Sequence, residues 1–337
     1  MTENVKVGII GAGRIGSLHA EHLVTRIPRA EVVAISDIRR EAAEQCAVTL
    51  GIPEVYAGPE SVIDHPDIDA VLICSSTNTH AALVEAAAAA GKHIFCEKPI
   101  DLELPRVDRV LTAVERAGVK FMVGFNRRFD HNFRRVRDLV ADGAIGTPQI
   151  LHIISRDPAP PPIEYVKVSG GIFLDMTIHD FDMARYLMGC EVEEVYVAGG
   201  VMVDPAIGEA GDIDTTVIML RFENGAIGTI DNSRQAVYGY DQRVEVFGNG
   251  GVVRTENDFP NTAIVSDGHS IHTDLPLNFF MDRYTESYVT ELQAFIDYVL
   301  GGSQPPATGQ DGRMAIAMGY AARKSYAEHR PVALTEV

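Results

Sequence analysis

Short apolar runs alternate with amphipathic stretches along the first third of the chain. Residues 5–10 and 31–36 are almost continuously apolar, which is typical of strands buried on both faces of a sheet. Similar runs at 70–74, 93–97 and 120–125 are separated by helix-like segments. This order predicts an α/β fold that begins with a doubly wound parallel sheet.

The pattern changes after residue 125, where apolar and polar residues begin to alternate along short segments. The predicted strands of this kind lie at 149–156, 192–203, 215–222, 226–234 and 243–248. A Glu-Asn-Gly sequence at 223–225 marks a hairpin turn, so these strands predict a mostly antiparallel sheet. We therefore expect two domains, 1–125 and 126–337, with a final helix at 311–329 as a candidate to pack back on the first.

Residues 170–189 carry a clean helical pattern. Their apolar side chains recur at three- and four-residue spacing, which predicts one buried face. A second face carries Asp175, His179 and Asp182. Because residues four apart stack on a helix, Asp175 can hold the His179 ring, which is the arrangement of a supported general base. A solvated face with a capped histidine is the alternative interpretation.

A Gly-x-Gly-x-x-Gly sequence directly follows the first predicted strand. Gly11 suits a tight turn, Gly13 lets the backbone approach a pyrophosphate, and Gly16 lets the next helix pack closely on the strand. Asp37 ends the second strand about 20 residues later, where a carboxylate can bind the adenosine ribose hydroxyls. Its negative charge favours NAD, whereas the nearby Arg39 keeps NADP open.

Polar residues follow three of the predicted parallel strands, at 75–80, 97–99 and 126–128. Ligands of such sheets bind at the carboxyl ends of the strands, so we expect a site there. Lys98 lies just beyond a buried strand, where its ammonium group can donate a hydrogen bond to a substrate oxygen. A solvated loop lysine is the alternative for Lys98, and a helix cap is the alternative for the serine and threonine run.

The composition narrows the class of partner. A chain of 337 residues has room for two domains of ordinary size. Its 29 basic and 47 acidic residues leave a net charge of -18, which disfavours nucleic acid and anionic membranes as partners. Its four cysteines are widely spaced, and its histidines and carboxylates show no metal-ligand spacing beyond the helical pair. We expect a cytoplasmic protein without a metal, since no secretory leader or membrane-length apolar run is evident.

Together these motifs resemble the Gfo/Idh/MocA oxidoreductase family, and within it the inositol dehydrogenases. The resemblance rests on the glycine motif with Asp37, on Glu-Lys-Pro at 97–99, on Gly-Phe-Asn-Arg-Arg-Phe at 124–129 and on 170–180. It implies an N-terminal Rossmann domain, a C-terminal α/β domain with a large open sheet, and homotetramers built through that sheet. Such an interface is physically reasonable because an open sheet needs cover.

The resemblance also implies a reaction, the NAD-dependent oxidation of a secondary hydroxyl of a cyclic polyol, in particular of myo-inositol to its 2-keto form. His179 would take the hydroxyl proton, Asp175 would hold the histidine tautomer, and Lys98 would donate to the developing alkoxide. The expected cofactor contacts are Gly11, Gly13, Arg14, Ile15, Gly16, Asp37, Arg39, Ser75, Thr77, Asn78, His80, Glu97 and Lys98. The expected substrate contacts are Lys98, Arg127, Asp157, Asp175, His179, Asp182, Tyr240 and Tyr284.

Other substrates and roles stay open from the sequence. Residues 158–168 are rich in proline, and Asp157 stands where asparagine is familiar in the family, so another cyclic polyol, an aminocyclitol or an aldose is an alternative substrate. A dehydrogenase that holds NADP tightly is a second alternative. A non-catalytic NAD(P)-sensing regulator is a third, although such regulators lack the lysine and histidine that Lys98 and His179 match.

Overall fold

The computed structural model describes residues 4–337, which divide into two compact units. The first unit comprises the chain up to Phe129 together with Glu286–Met314. The second comprises Asp130–Thr285 together with Ala315–Val337. The first crossing lies close to the expected boundary after residue 125, but the chain returns to the first unit for Glu286–Met314. The predicted last helix is divided between the units because two of the crossings fall inside long helices, where the sequence pattern runs on without a break.

The first unit opens with strands and helices in strict alternation. Its elements before the first crossing are β1 Val5–Ile10, α1 Arg14–Arg26, β2 Ala30–Ser36, α2 Arg40–Leu50, β3 Glu54–Tyr56, α3 Glu60–Ile63, β4 Ala70–Ile73, α4 Thr77–Ala89, β5 His93–Glu97, α5 Leu104–Ala117, β6 Phe121–Gly124 and a 3-10 helix at Asn126–Phe129. Each of the five predicted apolar runs forms a strand of this unit. The continuous apolar runs were therefore a sufficient signal for the buried parallel strands.

The sheet of the first unit has six parallel strands in the order β3-β2-β1-β4-β5-β6. This order confirms the predicted doubly wound sheet and places the reversal of strand order between β1 and β4. Val7, Ile9, Leu72 and Ile94 have no exposed surface, as expected for strands in the centre of the unit. The carboxyl ends of β1 and β4 are therefore the edge at which a ligand is expected.

The second unit contains the remaining elements and shares the last two long helices with the first. Its elements are α6 His131–Ala141, β7 Pro148–Arg156, α7 Ile163–Val166, α8 Gly171–Asp175, α9 Ile178–Met188, β8 Val192–Gly200, α10 Pro205–Glu209, β9 Thr215–Phe222, β10 Ile227–Ser233, β11 Asp241–Gly248, β12 Gly251–Arg254, β13 Ile264–Ser266, β14 Ile271–Thr273, α11 Phe280–Val299, α12 Gly309–Glu328, β15 Val332–Ala333 and a 3-10 helix at Leu334–Glu336. The predicted loop at 158–162 is irregular, and α7 follows it.

Seven strands of this unit form one sheet in the order β12-β11-β7-β10-β9-β8-β15. Among the described residues, β7 and β10 pair in parallel and the other neighbours pair antiparallel, which confirms the predicted mostly antiparallel sheet. Along β9, Ile218 and Leu220 are buried, whereas Val217 and Met219 are about half exposed. Helices α6 and α9 pack against the sheet, so its alternating strands have one covered face and one open face.

The predicted helix at 170–189 is broken into α8, which ends at Asp175, and α9, which contains His179, so the predicted stacking of these two residues within one continuous helix is wrong. At the break, the amide of Thr177 donates to the carbonyl of Ile172, five residues back, and the Thr177 hydroxyl donates to Asn232 Oδ1 at 2.7 Å. Asn232 in turn donates to Asp180 Oδ2 at 2.8 Å. All three polar side chains are buried, so the break satisfies groups that a straight helix would leave without these partners. The predicted stop at Gly189, which has a positive φ of 67°, is confirmed.

The two longest helices, α11 and α12, span 20 residues each. Helix α11 contains the acidic residues Asp282, Glu286, Glu291 and Asp297, and α12 contains Asp311 and Glu328. Over the described range of 4–337, no helix combines the length and the apolar composition needed to cross a bilayer.

Candidate active site

The glycine turn after β1 has the geometry that the sequence predicts. Gly11 has a φ of +105°, and a Cβ at this position would lie 2.7 Å from backbone atoms of Cys74 and Ser75. A Cβ at Gly16 would lie 1.9 Å from the Gly11 carbonyl oxygen. A Cβ at Gly13 would meet nothing within 4 Å, so the backbone there is open to an approaching group. Arg14 and Ile15 follow in the first turn of α1, whose N-terminal amides favour an anion.

Asp37 is held at this turn by two backbone hydrogen bonds. Its Oδ2 accepts from the amide of Ala12 at 2.7 Å, and its Oδ1 accepts from the amide of Arg39 at 2.8 Å. The Arg39 Nε lies 3.9 Å from Asp37 Oδ1, and the arginine side chain is 72% exposed. The carboxylate therefore has a fixed position beside the glycine turn, which fits a contact with ribose hydroxyls. The residues present at this edge of the sheet fit NAD.

The segment after β4 contains four of the predicted cofactor contacts, and these stay predictions. Ser75 Oγ and Thr79 Oγ1 lie 2.7 Å apart at the start of α4, next to Thr77 and Asn78. The His80 ring is buried, with Nδ1 2.8 Å from the Pro99 carbonyl and Nε2 3.0 Å from the Ser75 carbonyl. Both ring nitrogens thus lie against backbone carbonyls. His80 joins the segments that follow β4 and β5, a structural role that its position in the sequence did not reveal.

Glu97 ends β5, and its carboxylate is engaged inside the first unit. Its Oε1 lies 2.6 Å from His19 Nε2, and a Cβ at the paired Gly124 would lie 3.0 Å from the same carboxylate. His19, Glu97 and Glu291 bring possible metal ligands within 4.8 Å of one another. Two ligands of one zinc ion lie about 3.3 Å apart at tetrahedral bond lengths of about 2.0 Å. The distance of 2.6 Å between His19 and Glu97 is shorter than this and is typical of a hydrogen bond to a carboxylate.

Two further predicted residues follow the last two strands of the first unit. Lys98 is half-buried and directly follows β5, and Arg127 is buried in the short 3-10 helix after β6.

Burial raises the pKa of the Cys74 and Cys96 thiols well above its ordinary value, and the Glu97 charge raises the pKa further. Both thiols therefore stay protonated near neutral pH and are poor nucleophiles.

Asp175 is the last residue of α8 in the second unit, and both of its carboxylate oxygens accept hydrogen bonds. The Tyr165 hydroxyl donates to Oδ1 at 2.8 Å, and the Arg234 guanidinium donates to Oδ2 at 3.3 and 3.4 Å. Burial and the Asp175 carboxylate raise the pKa of the Tyr165 hydroxyl, and the Asp157 charge raises it further. Sequence reasoning missed Tyr165 and Arg234. The only signal was their position, after the proline-rich loop and at the end of a predicted strand.

The other predicted residues of the second unit lie on several elements. His179 is half-buried in the first turn of α9, and Asp182 is buried one turn later. Tyr240 and Tyr284 are buried and pack edge to face, with ring centroids 6.0 Å apart. Asp157 directly follows β7, and its amide donates to the Ser233 carbonyl at 2.9 Å. Hydroxyl, carboxylate and imidazole groups of this kind suit the recognition and deprotonation of an alcohol.

Two family models match the chain, and several known proteins are similar to it over its whole length. A family model described as the GFO_IDH_MocA oxidoreductase family with an NAD-binding Rossmann fold matches residues 5–125, and the GFO/IDH/MocA C-terminal domain matches residues 133–254. The myo-inositol 2-dehydrogenase of Thermotoga maritima is 53% identical over 333 residues, which cover 99% of each chain. The inositol 2-dehydrogenase of Rhizobium meliloti is 47% identical and covers 98% of this chain and 99% of its own.

A solved structure shows the same similarity in three dimensions. The scyllo-inositol dehydrogenase of Lactobacillus casei, solved with bound NAD(H) and scyllo-inositol, superposes with a TM-score of 0.92 at 30% identity. The similarity covers 99% of this chain and 100% of that one. Both family models and whole-length relatives therefore lead to one conclusion: the chain belongs to the Gfo/Idh/MocA family of oxidoreductases with an NAD-binding Rossmann fold.

Proposed function

We propose that the protein is an NAD-dependent dehydrogenase that oxidises a secondary hydroxyl of myo-inositol to the 2-keto form. The observation that carries the proposal is the whole-length similarity to a myo-inositol 2-dehydrogenase at 53% identity. The glycine turn and the fixed Asp37 carboxylate support NAD, because a carboxylate there accepts hydrogen bonds from ribose hydroxyls and repels a 2′-phosphate. The exposed Arg39 is the feature that would accommodate NADP.

The oxidation needs a hydride acceptor, a base for the hydroxyl proton and a donor to the oxygen. Bound NAD supplies the acceptor for the hydride that leaves the alcohol carbon. His179 takes the hydroxyl proton, since a neutral imidazole is a suitable base near pH 7. Asp175 holds the histidine tautomer and stabilises the imidazolium, and Lys98 donates to the oxygen as negative charge develops on it.

The substrate would be recognised by the polar side chains that the sequence singles out. A cyclic polyol presents many hydroxyl groups, and each one buried needs a donor or an acceptor. We assign this recognition to the side chains predicted to contact substrate besides the catalytic three: Arg127, Asp157, Asp182, Tyr240 and Tyr284. Asp157 accepts hydrogen bonds only, so it favours a hydroxyl or an ammonium group over a carbonyl oxygen at its position.

A panel of substrates tests the proposal. Purified protein is mixed with NAD or NADP and with myo-inositol, scyllo-inositol, an aminocyclitol or an aldose, and the absorbance of reduced nicotinamide is followed. The expected result is the highest kcat/KM with NAD and myo-inositol. Higher kcat/KM with another ring would replace the substrate, and no reduction with any member of the panel would favour the sensing regulator.

We also infer a homotetramer built through the open face of the seven-stranded sheet. We infer separately that the protein is cytoplasmic. The side chains that support the interface are apolar and 43–52% exposed: Val217, Met219, Ile227, Phe247 and Val252. An apolar surface of this kind marks an interaction site more often than a free face. All four cysteines are free thiols, which supports a reducing compartment. Light scattering after gel filtration tests the assembly, and Met219→Asp should dissociate it, whereas a monomeric wild type would contradict it.

A further inference from the structure

One buried guanidinium contacts the carboxylates at both ends of α8. Arg234 is 1% exposed and donates to Asp175 Oδ2, at the last residue of α8. Its NH2 group also lies 3.7 Å from Asp212 Oδ2. Asp212 in turn accepts hydrogen bonds from the amide of Ile172, near the first residue of α8, at 3.1 and 3.0 Å. The short helix that carries Asp175 is therefore tied at its start and at its end to the same arginine.

The start of α8 is shaped for the Asp212 carboxylate. Gly171 has a φ of +76°, and a Cβ at this position would lie 2.8 Å from Asp212 Oδ1. A carboxylate at the N-terminal amides of a helix also satisfies donors that lack partners within the helix. Helix α8 has only five residues, so its position depends on such side-chain contacts more than on its own hydrogen bonds.

Tyr165 completes the surroundings of Asp175 from the opposite oxygen. Its hydroxyl donates to Oδ1, and its raised pKa keeps the proton on this donor near neutral pH. The cluster of Asp175, Asp212 and Arg234 carries two negative charges and one positive charge. Arg234 therefore compensates part of the Asp175 charge in a buried environment, where such interactions are strong.

We propose that Arg234 is a positioning residue that holds the Asp175 carboxylate and sets the basicity of His179 through it, with Tyr165 as a second, weaker support. This inference rests on the proposed function, in which Asp175 stabilises the imidazolium of His179. A carboxylate shared with a guanidinium stabilises an imidazolium less than an uncompensated one does. Arg234 therefore weakens the stabilisation that Asp175 gives to the imidazolium form of His179, and it fixes the carboxylate in one orientation.

The variants Arg234→Lys and Arg234→Met separate the charge from the shape. In Arg234→Met the Asp175 charge is uncompensated, so the pKa of His179 should rise by about half a unit or more. The acid limb of the kcat/KM profile, which requires neutral His179, should move to higher pH by the same amount. The kcat should fall on the order of 10- to 100-fold because the carboxylate loses its fixed orientation. Arg234→Lys should keep the wild-type acid limb with a smaller loss of kcat.

A matched control distinguishes this role from a structural ion pair. Arg185 is also buried in the second unit and forms a two-point ion pair with Glu191. Arg185→Met should lower the melting temperature without moving the acid limb. Tyr165→Phe, at a residue that is 48% exposed, should fold as the wild type does and move the acid limb in the same direction as Arg234→Met, by less.

The pKa of His179 can also be measured without turnover. Ring-labelled histidine gives one NMR titration curve per residue, and the His179 signal is assigned by its loss in His179→Gln. A raised pKa in Arg234→Met supports the inference, and a curve unchanged in this variant overturns it. Tyr165→Phe tests only the second, weaker support. Failure of the proposed function has another signature, since wild-type protein would then show no reduction of NAD with any polyol.

Discussion

The nucleotide turn of the first unit and the Asp175 region of the second unit are built from different parts of the chain. The turn uses backbone atoms and glycines from one short stretch, with a single carboxylate, Asp37, added from the next strand. The Asp175 region uses side chains from four elements or loops. Tyr165 is 10 residues from Asp175, whereas Arg234 is 59 residues away and Asp212 comes from a separate loop. The first is a local construction, and the second exists only after the unit has folded.

The backbone turn and the cluster of side chains suit different functions. A backbone turn can bind the pyrophosphate common to all nicotinamide cofactors, and it tolerates change in most side chains. A cluster of side chains can set the charge and orientation of one reacting group, but it depends on every member. We therefore expect changes in the first unit to act mainly on cofactor binding, and changes around Asp175 to act mainly on turnover.

A large expected effect, second only to that of His179, tests an exception to this division. Lys98 belongs to the first unit but has a proposed role in turnover. Lys98→Met should lower kcat on the order of 10²- to 10³-fold, or about 3–4 kcal/mol, because a donor to the developing alkoxide is lost. Steady-state kinetics and an NAD titration measure the two effects separately. Lys324→Met, at a surface ion pair with Glu336, is the control that should keep wild-type kinetics. An NAD affinity that falls as much as kcat would reassign Lys98 to the cofactor.

The glycine turn gives the next largest effect through a pair of variants. Gly11→Ala places a Cβ against the backbone of Cys74 at a positive φ, which should cost about 3 kcal/mol of folding stability and most of the NAD affinity. Gly13→Ala meets no protein atom within 4 Å, so the melting temperature should stay unchanged while NAD binds more weakly. Thermal unfolding and NAD titration distinguish the two. Equal NAD affinity in Gly13→Ala and wild type would show that the backbone there does not approach the cofactor.

The nucleotide turn could be predicted from the sequence better than the Asp175 region, because the turn is built from residues that lie close together in the chain. Gly11, Gly13 and Asp37 lie in a stretch of fewer than 30 residues, so strand pattern and spacing defined their geometry. The break between α8 and α9 was not predictable, because it depends on Asn232, which is 55 residues from Thr177 in sequence. Arg234 was missed for the same reason, since nothing near Asp175 in sequence announces an arginine from the end of β10.

His80 illustrates a second limit of sequence reasoning. Its place at the carboxyl end of β4 predicts a cofactor contact, which stays a prediction, but it did not reveal that both ring nitrogens face carbonyl oxygens inside the first unit. A motif position gives the location of a residue but not the direction of its side chain. The split of α11 and α12 between the units was hidden in a similar way, because a helix pattern carries no mark where the chain passes from one unit to the other.

A pH effect on stability is expected from the first unit. Burial lowers the pKa of His22 from 6.5 to about 4, with further lowering by His19 and Arg26. The unfolded chain therefore binds this proton at a higher pH than the folded chain, so stability is full above pH 6.5 and falls as the pH approaches 4. The loss from His22 is at most about 3 kcal/mol. Urea unfolding at several pH values should show a smaller acid loss in His22→Leu, and identical curves would contradict the assignment.

The smallest expected effect concerns the choice of cofactor. Asp37→Ser removes the carboxylate that repels a 2′-phosphate and leaves Arg39 exposed beside it. The ratio of kcat/KM for NAD to that for NADP should fall about tenfold, or about 1.4 kcal/mol. Asp64→Ser, an exposed acid elsewhere in the first unit, is the control and should leave the ratio unchanged. An unchanged ratio in Asp37→Ser as well would remove Asp37 from cofactor selection.

The most direct test of the division between the two regions is the variant His179→Ala, measured for NAD affinity and for turnover of myo-inositol in the same preparation. We predict an NAD affinity equal to that of the wild type and a kcat lower by a factor on the order of 10² to 10⁴, the usual contribution of a general base. Unchanged turnover, or a loss of NAD binding as large as the loss of turnover, would contradict it.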